Sequence, residues 1–371
     1  MIAATAPVQR PHGAKLLHVD ARGRIRRLAR SDFVSVLHSG DLVIANDAAT
    51  LPASLSGTHT PSGRPIEVRL SGRHSLDEVA QFSAIVFGAG DFHTRTEDRP
   101  LPPPLSPGDG LDLGPLRAVV VQVLDHPRHI LLHFEGSQQQ IWEGLARHGR
   151  PIQYAHIPRP LAVWDTWTAI AGPPVAFEAP SAGYILDWRL LAKMASRGIR
   201  FATITHAAGL SSTGDAELDA RMPFDEPYRI PVSTARLIAE AQIRGRRIIA
   251  IGTSAVRALE HSAAMFDGEV PAGHRMATQK ITAASQLRVV DAILSGTHEE
   301  GSSHHDLLSA FADAQTLMRL DIELRQHDFR THEYGDSVFV EKAPSKVCLL
   351  HLAVMRGRSV DSRSQWNYKA A

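Results

Sequence analysis

Apolar and polar positions divide the chain into three stretches. Between Lys15 and Leu55 the pattern is mixed. Its clearest element is Leu42-Val43-Ile44-Ala45, a short apolar run entered from the turn Ser39-Gly40-Asp41. A run of that length after turn residues predicts a buried strand. Asn46-Asp47 follow it, so polar groups fall at the C-terminal edge of that strand, where α/β proteins bind ligands. From about Gly57 to Arg150 the texture changes. Ile66-Glu67-Val68-Arg69-Leu70 alternates strictly, which predicts a strand with one face buried and one in water. Ala84 to Phe87, Ala118 to Leu124 and Ile130 to Phe134 predict further strands. Gly, Pro and Asp clusters separate them, notably Pro100 to Gly114, and Asp125 to His129 reads as a hairpin connection. Short strands at close spacing predict a small β-barrel or sandwich.

From about Pro151 to Glu341 strands and helices alternate. Asp187 is placed to cap a helix carrying Leu190, Leu191 and Met194 on one face and ended by Gly198. Phe201 to Thr205 reads as a strand ending at His206. Ser233 is placed to cap a helix with Leu237, Ile238 and Ala241, ended by Gly245. Arg247 to Ile251 reads as a buried strand that turns through Gly252-Thr253-Ser254 into another helix. This rhythm predicts an α/β fold, a mostly parallel sheet with flanking helices, interrupted by an inserted small β-barrel. The expected division is an α/β domain from 1–56 and 151–345, a barrel domain at 57–150, and a tail at 346–371 of no assigned role.

Composition narrows the class. The chain has 371 residues, 43% of them hydrophobic, enough for a substantial core. Forty basic residues balance thirty-nine acidic ones, so the total charge gives no strong pull toward nucleic acid or membrane, although a local patch remains open. The single cysteine, Cys348, excludes a disulfide framework, a cysteine zinc site and an iron–sulfur cluster. No apolar run reaches the roughly 18–20 residues that a membrane span needs. Met1 to Gly13 carries no apolar signal-peptide core. A cytoplasmic protein with no membrane partner is therefore expected.

Two segments stand out chemically. In Gly252-Thr253-Ser254-Ala255-Val256-Arg257 a strand ends and a helix opens, presenting free backbone N–H groups and two hydroxyls. Such a helix mouth suits a carboxylate, phosphate or ribose oxygen, with Arg257 one turn in to add a bidentate contact. The plainer alternative is an ordinary cap with a solvated arginine. In Ala179-Pro180-Ser181-Ala182-Gly183 small residues allow close approach to backbone, and Glu178 beside them is a candidate acid or base. The plainer alternative is a tight connecting loop. His206, ending a buried strand, is a candidate proton shuttle or a structural histidine. Thr297 to Asp306 is rich in histidine, but the i, i+4 spacing of a helical metal pair is missing, so no metal is expected. Asp225-Glu226-Pro227-Tyr228 reads most simply as a solvated acidic loop.

Taken as an ordered series, these motifs resemble the S-adenosylmethionine:tRNA ribosyltransferase-isomerase family of queuosine biosynthesis. Gly40 to Asp47 with Leu51 to Gly57 is similar to its G-D-L-L-V-x-N-[ND]-T-[KR]-V-I-P-A-R-L-x-G. Ala179 to Gly183 is similar to A-P-T-A-G. Gly252 to Glu260 resembles G-T-T-S-V-R-[ST]-L-E, Val289 to Leu294 resembles K-V-V-D-[GA]-L, and Ser309 to Ala312 with Tyr334 to Asp336 resembles V-S-A-F-A-G and S-Y-G-D-A. The series runs from about Leu16 to Val340. The resemblance implies an α/β domain interrupted by a barrel. It implies S-adenosylmethionine as ribosyl donor, 7-aminomethyl-7-deazaguanine in a tRNA anticodon as acceptor, and epoxyqueuosine as product. It also implies that Gly252, Thr253, Ser254 and Arg257 line the donor site, with Pro180, Ser181, Ala182 and Gly183 as its other wall. By the same resemblance His206 and Glu226 occupy the family's histidine and glutamate positions, and with the added Glu178 they are the proton-handling candidates.

The chain also departs from the pattern. Ala207-Ala208-Gly209-Leu210-Ser211-Ser212 stands where the family has V-G-x-G-T-F after its histidine. Arg221 and Phe224 stand where H-x-M-H-x-E has histidines, and Tyr184-Ile185-Leu186 replaces L-H-F. Ser295 to His304 replaces T-N-F-H-L-P-x-S-T-L, and Ser54 replaces the arginine of P-A-R-L. Two alternatives therefore stay open. One is a diverged paralogue performing sulfonium chemistry on a small molecule without tRNA; the other is a binding protein without catalysis.

Overall fold

In the computed structural model, residues 1–299 and 301–344 are described; Cys348 and the expected tail at 346–371 lie outside them. A nine-stranded sheet forms the larger half. Its spatial order is Gly273–Ala277, Glu226–Ile230, Arg200–His206, Leu42–Asn46, Ile248–Ile251, Ala292–Gly296, Ser337–Glu341, Lys15–Val19 and Ile25–Ala29. Leu42–Asn46, whose apolar residues are fully buried, runs through the middle and pairs in parallel with Arg200–His206 on one side and Ile248–Ile251 on the other. Helices Val232–Ile243 and Thr253–Met265 put Ile238, Val256 and Leu259 against one face. Helix Trp188–Ser196 puts Leu190 and Met194 against the other. Among the described residues no helix is long and apolar enough to cross a membrane.

The sheet is mixed, which corrects the expectation of a mostly parallel one. Ser337–Glu341 returns antiparallel to Ala292–Gly296, and the margin Glu226–Ile230 and Gly273–Ala277 is antiparallel as well. The parallel part is confined to Leu42–Asn46 with its two neighbours, the pair Ile248–Ile251 and Ala292–Gly296, and the pair Lys15–Val19 and Ser337–Glu341. Strand direction depends on how connections cross the sheet, which apolar periodicity does not record.

The smaller half is a closed barrel of six strands in the order Leu116–Val123, His129–Phe134, Gln81–Phe87, Arg64–Gly72, Ser54–His59 and Gly110–Leu113. Arg64–Gly72 corrects the reading of a half-solvated strand. From Ile66 onward every residue is buried, Glu67 and Arg69 included. The inward face fills the barrel, while the polar face is covered by neighbouring loops, so its charges pair. Arg69 Nε donates to Glu67 at 2.8 Å, and Arg99 pairs with the same carboxylate. Three guanidiniums, of Arg69, Arg99 and Arg128, sit 4.4–5.3 Å from the ring centre of Phe87. Two of them reach the larger half. Arg69 also lies 5.7 Å from the ring centre of Tyr154, and Arg128 approaches Asp215 at 3.7 Å.

Candidate active site

Three neighbouring parallel strands end side by side at Asn46, His206 and Ile251. Asn46 stitches them. Its Nδ2 donates to the His206 carbonyl at 2.9 Å, and its Oδ1 accepts from the backbone N–H groups of His206 and Ala48 at 2.9 and 3.0 Å. Beyond Ile251 the chain turns at Gly252, whose φ of +91° is a left-handed value that favours glycine, into the helix Thr253–Met265. No side chain caps this helix, so its first-turn N–H groups have no capping partner. The turn Pro180–Gly183 lies directly opposite: a Cβ built on Gly252 would stand 3.5 Å from that of Ala182. Between them is a cleft lined by Glu178, Pro180, Ser181, Ala182, Gly209, Ser211, Gly252, Thr253, Ser254, Lys280, His298 and His304, with Glu226 and Arg257 at its floor.

Each expected residue therefore has a place. Gly252, Thr253, Ser254 and the Pro180–Gly183 turn form facing walls. Arg257 is only 4% exposed, and its donors are taken up by the protein. Nη1 pairs with Glu226, Nη2 donates to the carbonyls of Phe224 and Ala277 at 2.8 and 2.9 Å, and Nε donates to Gln279 O at 2.9 Å. Glu226 is not in a solvated loop. It opens the strand Glu226–Ile230, is buried, and accepts from the Gly209 N–H at 2.6 Å. Burial alone would raise its pKa, but His206, Arg257 and the Gly209 amide outweigh burial and bring it down to about 2. His206 is fully buried. Its Nδ1 donates to Ser254 O at 2.7 Å, and its Nε2 lies 3.0 Å from Glu226 at ion-pair distance, without the alignment of a hydrogen bond.

Glu178 has the opposite character. Burial pushes its carboxyl up to about 7, and the nearby Glu333 carboxylate adds to the rise, against hydrogen bonds from Tyr154 and Ser211. It lines the cleft and holds no arginine or lysine partner in these contacts, so its proton is mobile near neutral pH.

Three cleft residues were not legible in the motifs. Lys280 stands exposed at the rim, its Nζ 4.0 Å from Asp306. His298 and His304, from the segment read as a polar loop, stack with ring centres 4.3 Å apart and planes within 11°. Burial, then mutual repulsion with neighbouring imidazoles, holds His298 well below the usual histidine value; burial likewise lowers His304. Both rings face the cleft. The histidine count of the segment was the available signal. Behind Glu178, the ligand atoms of His156, His332 and Glu333 lie within 4.8 Å of one another. His156 and Glu333 already satisfy each other at 3.1 Å, and the two imidazoles stack 4.2 Å apart.

Residues 1–340 match the model of a family described as queuosine biosynthesis protein. The chain belongs to that family. Among relatives, the S-adenosylmethionine:tRNA ribosyltransferase-isomerase of Thiobacillus denitrificans is 29% identical over 337 residues, covering 89% of this chain and 91% of the relative. The protein of the same name from Sorangium cellulosum is 30% identical over 359 residues, covering 91% and 94%. A crystal structure of S-adenosylmethionine tRNA ribosyltransferase from Thermotoga maritima aligns over 91% of this chain and 96% of its own, at 22% identity and a TM-score of 0.47. Membership matches the order of motifs read along the chain. The cleft at Gly252 is built from the family-like segments, whereas Glu178 and His304 come from positions where this chain departs from the motifs.

Proposed function

We propose that this chain transfers the ribosyl part of S-adenosylmethionine to 7-aminomethyl-7-deazaguanine in a tRNA anticodon, releasing adenine and methionine and leaving epoxyqueuosine. Family membership and the names of the relatives support the reaction. The observation that carries the assignment to a site is the uncapped helix mouth at Gly252, facing the Pro180–Gly183 turn with Glu178 beside it.

The reaction needs a base for a proton beside the sulfonium, an acid for the departing adenine, and anchors for the methionine carboxylate and the ribose. In this reading the N–H groups of Thr253, Ser254 and Ala255 hold an anionic or ribose oxygen at the positive end of the helix. Thr253 and Ser254 add hydroxyls, and Lys280 meets charge at the rim. The Pro180–Gly183 turn lets the donor lie against backbone. Glu178, with a pKa of about 7, takes the proton beside the sulfonium, and its protonated form is the acid that the adenine meets. Glu226 stays ionised at a pKa of about 2, so it positions rather than shuttles: it holds Arg257, His206 and the Gly209 turn in register. In this reading the α/β part supplies the donor site and the barrel, whose first strand begins at Ser54 and not at the expected 57, flanks it.

The test is to incubate the pure protein with S-adenosylmethionine, with and without tRNA carrying the 7-aminomethyl-7-deazaguanine precursor, and to follow adenine and modified tRNA by mass spectrometry. Adenine release that requires the tRNA, with epoxyqueuosine formed, is expected. Release without tRNA, or none in either case, overturns the assignment.

A further inference from the structure

The cleft wall at Glu178 has a second layer. Tyr154, from the segment that follows the barrel, passes its hydroxyl behind the carboxylate and donates to Glu178 Oε1. The lone pairs of that hydroxyl are engaged by donors: Ser211 Oγ and the Ser212 N–H, each at 3.3 Å. With both acceptor directions occupied, the single phenolic proton is aimed at Glu178, and Ser212 O at 3.1 Å is its only other target among these contacts. The ring is fixed from several sides. Arg69 from the barrel lies 5.7 Å from its centre, and His156 stacks on it with planes within 9°.

We propose that Tyr154 is a positioning residue for Glu178, holding its carboxylate toward the cleft and setting the pH at which it gives up its proton. The proposal deepens the reading of Glu178 as the proton-handling group and rests on it. The groups facing Glu178 comprise Tyr154 and Ser211 as donors, the Glu333 carboxylate paired to His156, and Arg69 beyond the phenol ring. Glu333 works against ionisation of Glu178; Tyr154 and Ser211 work for it. Burial and the adjacent Glu178 charge push the phenol well above its ordinary value, so Tyr154 keeps its proton while Glu178 exchanges one with substrate. Nothing in the motif series pointed to Tyr154, because it lies 24 residues before Glu178 and meets it only in the fold.

The experiment is Tyr154→Phe, which deletes one oxygen and keeps the ring between Arg69 and His156. The Glu178 carboxyl is titrated by NMR in protein with carbon-13-labelled glutamate, assigned with Glu178→Gln, and the pH dependence of adenine release is measured beside it. Loss of a donor to the charged form raises a carboxyl pKa, so the titration in Tyr154→Phe is expected to move up by about one pH unit, and the acid limb of the rate by the same amount. The KM for S-adenosylmethionine should stay within about twofold, since the hydroxyl faces away from the donor walls. A second variant replaces Tyr154 with 3,5-difluorotyrosine, whose more acidic phenol donates more strongly and should move the titration down. An unmoved Glu178 titration in folded protein carrying either replacement overturns the proposal. A shifted titration in protein that releases no adenine supports the Tyr154–Glu178 coupling while defeating the ribosyl-transfer reading, so the two failures are distinct.

Discussion

His206 Nε2 lies 3.0 Å from Glu226 Oε2, and both groups are shut away from water beneath the cleft. The pair ties the end of one central strand to the start of its antiparallel neighbour, and Arg257 closes the arrangement from the helix that opens at Gly252. Removing Glu226 would leave the buried Arg257 guanidinium without its carboxylate, and losing one partner of a buried ion pair costs about 3–5 kcal/mol.

That pair gives a pH-dependent stability. The Glu226 carboxyl titrates at about 2 in the fold against 4.5 for a free glutamate. A depressed carboxyl contributes stability that is complete above the unfolded value and is lost as pH falls from about 4.5 through 2. That difference corresponds to about 3 kcal/mol. Glu226→Gln should therefore be less stable than the parent at pH 7 by about that amount, and the gap should narrow as pH is lowered across this window. Urea unfolding at pH 7 and pH 3 checks it; a gap of equal size at both values contradicts the assignment.

Glu178→Gln keeps the shape of the cleft wall and removes its mobile proton. The rate of adenine release should fall about 10²–10⁴-fold, and the rise in parent activity through about pH 7 should vanish. Binding of S-adenosylmethionine, measured by calorimetry, should change little. A large loss of affinity with turnover retained would place Glu178 in binding instead.

Gly252→Ala tests the helix mouth. An added Cβ meets Ala182 at 3.5 Å, an ordinary contact, so the penalty comes from the backbone at φ +91°. A side chain there costs about 1–3 kcal/mol unless the turn shifts. Strain kept in place lowers stability, and a turn that shifts to relieve it moves the first-turn N–H groups, so the variant should melt lower or bind S-adenosylmethionine more weakly. An unchanged melting temperature together with unchanged affinity would refute the donor site as drawn.

His298 and His304 should stay neutral at pH 7, because burial lowers both. In a histidine NMR titration their ring signals should remain those of the neutral form at pH values where an ordinary imidazole is half charged, about 6.5. His304→Ala should open the stack and relieve part of the repulsion on His298, moving the His298 titration upward. No movement would mean that the two rings are uncoupled.

Much of this site was readable from local residues. The run Leu42–Ala45, the glycine at 252, the small-residue turn at 180–183 and the Asp187 cap each carry a requirement that nearby chain must meet. Asp187 does accept from the Leu190 N–H at 2.7 Å, whereas the helix expected from Ser233 begins at Val232 behind Pro231. What stayed hidden depended on distant partners. Alternation in Ile66–Leu70 gave the right strand and the wrong solvent face, since it reports periodicity and not what covers the second side. Ser337–Glu341 carries no local mark of the antiparallel direction it takes beside Ala292–Gly296. Glu226 read as a solvated acid because its partners, Arg257 and His206, lie 31 and 20 residues away in sequence.

The guanidiniums packed on Phe87 also bear on how this molecule moves. Arg69 and Arg128 root in the barrel and end against Tyr154 and Asp215 in the other half, both largely out of reach of solvent. Swinging the barrel would part Arg128 from Asp215 and Arg69 from the Tyr154 ring, although Arg69 would keep Glu67, which moves with it; for a buried ion, losing its partner runs to several kcal/mol. The two halves are therefore latched to one another through side chains that water hardly reaches.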